Sequence, residues 1–254
     1  MITKTELDKL VEKYETAEFI KDDPIQFIHH GKCKEESELL GFVASLFAYG
    51  NRKIFIKKLN EIFSKADGDF TGFVKNWDFS SLQGIEYRFS KENDIIPIFQ
   101  ILSKLYNESN GLEELFDYSF NSGNFLQTVV DYFYSNAPKT VGQGFYHMIP
   151  NPQNGGTMKR MNMFLRWMVR KPPVDLGIWQ FMQPKDLLIP LDVHVARVSR
   201  EMGLLQRKSN DFKAVIELTE KLKEFCPEDP VKYDFAMFAF GVEYSGKKRG
   251  VDNE

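Results

Sequence analysis

Two residues have the types and the placement needed for nucleophilic chemistry: Lys159 and Asp192. Lys159 follows Gly155 and Gly156 and begins a helical pattern. Glycine lets backbone N–H groups approach a phosphate closely, and a helix N-terminus carries partial positive charge. Asp192 begins a second helical pattern as its N-cap, in apolar surroundings. An amine and a carboxylate at two helix starts can act on the sugar of a nucleic acid, with the lysine as nucleophile.

The Lys159 pattern predicts a helix with a basic face. At about 100° per residue its apolar stripe comprises Met161, Phe164, Leu165 and Met168. Lys159, Arg166 and Arg170 fall on the opposite side. Residues 151–213 hold eleven Lys/Arg and five Asp/Glu, an excess of six positive charges in a chain of net charge −3. This asymmetry favours a polyanion-binding surface, with a solvated helix face as the alternative.

Helical patterns run through the whole chain, with no sustained period-two segment and no repeat, which predicts an all-α fold. An apolar pattern over residues 35–49 is expected to be buried, and Asn51 is expected to cap the next helix. The loop at 137–154, rich in proline and glycine, is the strongest break. We expect one all-α unit over residues 1–254, made of two interleaved helical lobes with a cleft between them and a lobe junction near 137–156. Residues 246–254 are expected to fray.

The chain offers no cofactor site at the sequence level. Cys33 and Cys226 are far apart and share no metal-ligand spacing, so no metal, iron–sulfur cluster or other cofactor is expected. No secretory signal and no bilayer-length apolar run is present, which predicts a cytoplasmic protein without a membrane partner. The oligomeric state stays open.

Residues 155–203 resemble the heart of the helix-hairpin-helix (HhH-GPD) DNA glycosylase superfamily. In that superfamily a glycine hairpin leads to a lysine nucleophile, and a V-D-x-H-x-x-R element carries an aspartate; this chain has LDVHVARV at residues 191–198. Residues 37–52 resemble the segment before the base pocket of endonuclease III-like enzymes, and the long interval from Lys159 to Asp192 is similar to that in archaeal oxoguanine glycosylases. The hairpin departs from the usual L-P-G-V-G, because its lysine comes three residues after the last glycine. The wider sequence resembles an uncharacterised bacterial family distantly related to these enzymes.

The resemblance implies a base-excision DNA glycosylase, with or without AP-lyase activity through a lysine Schiff base, acting on duplex DNA with a damaged base. Lys159 and Asp192 would be catalytic. The implied DNA-binding residues are Gly155, Gly156, Arg160, Arg166, His194, Arg197, Asn51 and Arg52. A non-catalytic helix-hairpin-helix nucleic-acid-binding protein is one alternative, and an all-α small-molecule enzyme or binder with an aromatic pocket is another. The lesion, and the choice between DNA and RNA, stay open.

Overall fold

The computed structural model describes residues 2–251, with side chains for residues 2–243, and this part of the chain is all-helical. Within it no β-strand forms, and one isolated bridge pairs Tyr87 with Ser90. The predicted all-α class is therefore confirmed. None of the described helices combines the length and the apolar character needed to cross a membrane. Residues 246–251, where fraying is expected, continue the last helix, which ends at Val251, and residues 252–254 lie outside the described part.

Thirteen α-helices are formed by the described residues. In chain order they are α1 Lys4–Tyr14, α2 Ala17–Ile20, α3 Lys34–Phe47, α4 Arg52–Ser64, α5 Phe70–Lys75, α6 Glu92–Glu108, α7 Leu112–Asn121, α8 Phe125–Asn136, α9 Gln143–Met148, α10 Lys159–Val169, α11 Val193–Glu201, α12 Phe212–Lys223 and α13 Asp234–Val251. Short 3-10 helices occupy Pro24–His30, Ser80–Leu82, Pro152–Asn154, Pro184–Asp186 and Pro230–Tyr233.

The chain divides into two compact units. The terminal unit combines the chain up to Asp23 with the chain from Gly155 onward, and the central unit is Pro24–Asn154. The second boundary falls directly before the two glycines that precede Lys159, so α1, α2 and α10–α13 belong to the terminal unit and α3–α9 to the central unit.

Helix α10 lies in the core of the terminal unit. All its residues from Met161 to Val169 are buried, and the ring of Phe164 meets Trp179 edge-on with centroids 5.2 Å apart. Helix α13 packs against both α1 and α11. The segment after α10 folds back over the C-terminal end of that helix, where the backbone N–H of Trp179 donates to the Met168 carbonyl at 2.9 Å. This packing holds the starts of α10, α11 and α13 in one folded body.

Helix α3 is the most buried element of the central unit. Every residue from Glu36 to Phe47 is buried, as its apolar pattern predicted, and it packs against the 3-10 helix Pro24–His30. Its two buried carboxylates are hydrogen-bonded: Glu36 accepts from the Phe70 N–H at 3.0 Å, and Glu38 accepts from the Tyr106 hydroxyl at 2.9 Å. Such bonds offset much of the cost of burying an acid.

Candidate active site

Lys159 and Asp192 come together in the terminal unit. Lys159 is the first residue of α10, and Asp192 is the N-cap of α11. The Lys159 Nζ lies 3.7 Å from the Asp192 Oδ2, an ion-pair distance that is longer than a hydrogen bond. Their side chains are 29% and 11% exposed, so the pair meets solvent while its carboxylate is largely enclosed.

The two oxygens of Asp192 have separate roles. Oδ1 accepts hydrogen bonds from the backbone N–H groups of His194 and Val195, both at 2.8 Å, which caps α11 as the sequence predicted. Oδ2 faces Lys159. Because capping holds the carboxylate in one orientation, its second oxygen is presented to the amine without a further ordering cost.

The residue before the lysine has an unusual backbone. Met158 is buried, with φ of 51° and ψ of 28°, in the left-handed region that costs an ordinary residue roughly 1–2 kcal/mol. Asn162 holds this turn: its backbone N–H donates to the Met158 carbonyl at 3.0 Å, and its Nδ2 donates to the Thr157 carbonyl at 3.2 Å. Such conformations concentrate at functional sites. The sequence carries no local signal for this one.

The glycine loop before α10 is open. Gly155 and Gly156 are exposed, and a Cβ on either would meet nothing within 4 Å. Gly155 has φ of +70°, which favours glycine, and its carbonyl accepts from the Phe212 N–H at 2.8 Å. Gly156 has no such backbone requirement. A ligand can therefore approach this loop closely.

Arg166 is not on an exposed basic face, which corrects its expected role in phosphate binding. Its side chain is 4% exposed and pairs with Asp175, Nε to Oδ1 at 3.1 Å, and with Asp234. Arg170 is also buried, and its Nε lies 2.7 Å from the Asp229 Oδ2. The helical periodicity of the sequence placed these two arginines correctly opposite the apolar stripe. In the structure, carboxylates from segments far away in the chain cover that side of the helix. Because the Arg166 side chain is buried against these carboxylates, a DNA phosphate cannot reach its guanidinium.

Three other predicted DNA-binding residues lie near the two helix starts. Arg160 is half-buried in the first turn of α10. The ring of His194 is half-buried and meets Phe238 edge-on, with centroids 5.8 Å apart. Arg197 donates from Nη2 to the Gly241 carbonyl at 2.8 Å, so it ties α11 to α13.

Asn51 and Arg52 belong to the central unit. The Asn51 Oδ1 accepts from the Ile54 N–H at 3.3 Å, which confirms it as the N-cap of α4. Arg52 is the first residue of that helix and is half-buried. Their implied role at a base pocket stays a prediction.

Asp234, the first residue of α13, was not predicted from the sequence as a site residue. It is buried beside Arg166, in an otherwise apolar stretch from Tyr233 to Met237. Burial raises the pKa of Asp234 to about 7; Arg166 lowers it in part, and the negative charge of Asp192 adds to the rise. The sequence offered one indication of this site, a single acidic residue in an apolar stretch. The electrostatic interaction of Asp234 with Asp192 arises only in the folded protein.

These observations define an all-helical protein with a partly exposed lysine–aspartate pair at two helix starts. The family DUF2400, described as a protein of unknown function, matches residues 23–243, and the chain belongs to this family. The match covers the whole central unit and the terminal unit from Gly155 to Glu243, including Lys159 and Asp192. Neither the curated proteins nor the solved structures gave a match to the chain.

Proposed function

We propose that this protein is a base-excision DNA glycosylase with AP-lyase activity, in which Lys159 is the nucleophile and Asp192 its carboxylate partner. The observation that carries the proposal is the 3.7 Å separation of the Lys159 Nζ and the Asp192 Oδ2 in a partly exposed pair. The resemblance of residues 191–198 to the glycosylase V-D-x-H-x-x-R element supports it independently. The proposal includes a helix-hairpin-helix glycosylase type of fold and a cytoplasmic location.

The reaction follows from an amine beside a carboxylate. The Lys159 amine attacks C1′ of the damaged nucleotide, the glycosidic bond breaks, and the base leaves with the bonding electrons. Asp192 stabilises the positive charge that develops on the sugar and accepts the proton that the attacking amine loses. Opening of the sugar gives a Schiff base, loss of a C2′ proton expels the 3′ phosphate, and water then releases the lysine.

The proposed partner is duplex DNA with a flipped, damaged nucleotide. The open loop at Gly155 and Gly156 and the first turn of α10 would bind backbone phosphate, together with Arg160. The further proposed DNA contacts are His194, Arg197, Asn51 and Arg52. Arg166 has no place among them, because it is bound inside the protein.

Borohydride trapping on duplexes with oxidised bases or an abasic site tests the proposal, because borohydride reduces a Schiff base to a stable amine. The wild type should form a covalent adduct, and Lys159→Ala should form none. Asp192→Asn should reduce the trapping rate by roughly 10²–10⁴-fold. An asparagine still caps a helix, so stability should be kept.

Lys171→Ala is the matched control, because this exposed lysine lies just beyond the other end of α10. It should trap like the wild type. No adduct with the wild type on any of these duplexes, or an undiminished adduct with Lys159→Ala, would remove the nucleophile. Salt-sensitive DNA binding that survives both substitutions, with no adduct, would instead support the non-catalytic nucleic-acid-binding alternative.

A further inference from the structure

Three cations form a row along α10 and its C-cap: Lys159, Arg166 and Arg170. They are spaced by seven and four residues, so they share one face of the helix. Each cation faces at least one carboxylate. Lys159 and Asp192 form the solvent-facing end of the row, whereas Arg166 and Arg170 are buried. The candidate active site is therefore the exposed end of a charged row that continues into the core.

The inner part of the row is a buried charge cluster of two guanidiniums and four carboxylates. Its members are Arg166, Arg170, Glu15, Asp175, Asp229 and Asp234. Asp175 bridges the two arginines at 3.1 Å from each. With every acid ionised, the cluster would carry an excess of two negative charges. Uncompensated charge is costly in a protein interior, so such a cluster favours binding a proton.

Asp234 is the carboxylate with the least compensation. Asp175 is shared by both guanidiniums, Glu15 is held by two nitrogens of Arg170, and Asp229 is 24% exposed at its side chain. Asp234 pairs with one guanidinium, that of Arg166.

The charges that act on Asp234 come from three elements: Arg166 on α10, Asp175 in the segment after it, and Asp192 at the start of α11. Burial raises the pKa of Asp234 to about 7, opposed by Arg166 and reinforced by Asp192 and Asp175. We therefore expect Asp234 to change charge in the neutral range, and its charge is coupled electrostatically to the carboxylate that faces Lys159.

We propose that Asp234 is a positioning residue of the Lys159–Asp192 pair: it exchanges a proton within the buried charge cluster and so sets the negative charge that acts on Asp192. This inference rests on the proposed function. When Asp234 is ionised, the negative potential is stronger where the sugar becomes positively charged. At an effective dielectric constant near 20, a unit charge about 10 Å from the reacting carbon changes a rate by about tenfold.

The titration is tested without any activity. Side-chain carboxyl carbons of ¹³C-labelled aspartates shift on ionisation, so NMR should show one aspartate that titrates near pH 7 in the wild type and is absent from Asp234→Asn. Asp229→Asn is the control, because Asp229 belongs to the same cluster but pairs with Arg170 and not with Arg166. The spectrum of Asp229→Asn should keep the titration near pH 7. No aspartate titrating between about pH 6 and 8 in the wild type would overturn the proton-binding role, whatever the fate of the proposed function.

The coupling to chemistry is tested by the pH profile of single-turnover borohydride trapping. The wild-type and Asp229→Asn rates should rise about tenfold or more as pH passes through 7. Asp234→Asn should lack this rise, and Asp234→Glu should restore it because it restores an ionisable group. An unchanged profile in Asp234→Asn would overturn the positioning role. A neutral titration with no adduct at any pH would also overturn it, since it would leave Asp234 as a titrating acid with no reaction to serve.

Discussion

Replacing Arg166 by methionine is the most direct test of the buried charge cluster. The Arg166 guanidinium lies between Asp175, 3.1 Å from Nε, and Asp234, to which Nη1 donates. Methionine keeps an unbranched apolar stem of similar length but supplies no positive charge. The substitution leaves Asp234 without the guanidinium that stabilises its ionised form, and Asp175 with Arg170. The prediction is a large loss of stability from a residue once expected at the surface.

The magnitude follows from the burial of this group. Removing one partner from a buried ion pair costs roughly 3–5 kcal/mol, because the remaining charge stays in the interior.

The loss of stability in Arg166→Met should depend on pH. Burial raises the pKa of Asp234 to about 7. A raised carboxyl pKa makes stability fall as pH rises towards it, since the unfolded chain releases the proton first. Loss of Arg166 should raise that pKa further, so the variant keeps losing about 1.4 kcal/mol per pH unit above 7.

The assay is urea denaturation of the wild type and Arg166→Met at pH 5.5 and pH 8. The control is Arg207→Met, which breaks the pair of Arg207 with Asp211, whose side chains are 37% and 30% exposed. Because exposed pairs contribute little, the control should lose far less stability. The reasoning is refuted if both substitutions cost the same, or if the cost of Arg166→Met is equal at the two pH values.

Three smaller predictions follow from single sites. Gly155→Ala should cost about 1 kcal/mol in urea denaturation because of its positive φ, whereas Gly156→Ala should be near neutral; equal costs would contradict the backbone argument. Tyr106→Phe should cost about 1–3 kcal/mol by removing the hydroxyl that donates to buried Glu38, and a neutral result would contradict it. Asp234→Asn should flatten the pH dependence of thermal unfolding between pH 4 and 7. Ionisation of the Asp234 carboxyl accounts for up to roughly 4 kcal/mol of the free energy of unfolding that is lost between pH 4 and 7, because the pKa of this group is about 7 in the folded protein rather than 3.8. A dependence as steep as in the wild type would refute it.

Local chemistry explains why parts of the fold were predictable. The all-α class follows from helical periodicity, and the caps at Asn51 and Asp192 follow from side chains that accept from the first free N–H groups of a helix. The N-cap of α12 is Asp211, whose Oδ1 accepts from the Ala214 N–H at 3.1 Å.

Helix α10 marks the limit of such reasoning. Its periodicity correctly placed Arg166 and Arg170 opposite the apolar stripe, and then wrongly assigned that side to solvent. Glu15 lies 155 positions before Arg170, and Asp234 lies 68 positions after Arg166. A helical wheel shows which residues share a face, but it carries no information on what packs there.

The sequence by itself determined that the chain is helical, that Lys159 and Asp192 begin two helices, and that the Asp192 carboxylate caps its own helix. These properties depend on neighbours within about one turn. Only the tertiary structure decided that the Lys159 amine lies 3.7 Å from Asp192 and that Asp234 is buried beside Arg166. Ion pairs and pKa values depend on distance and burial, which arise when segments far apart in the chain pack together.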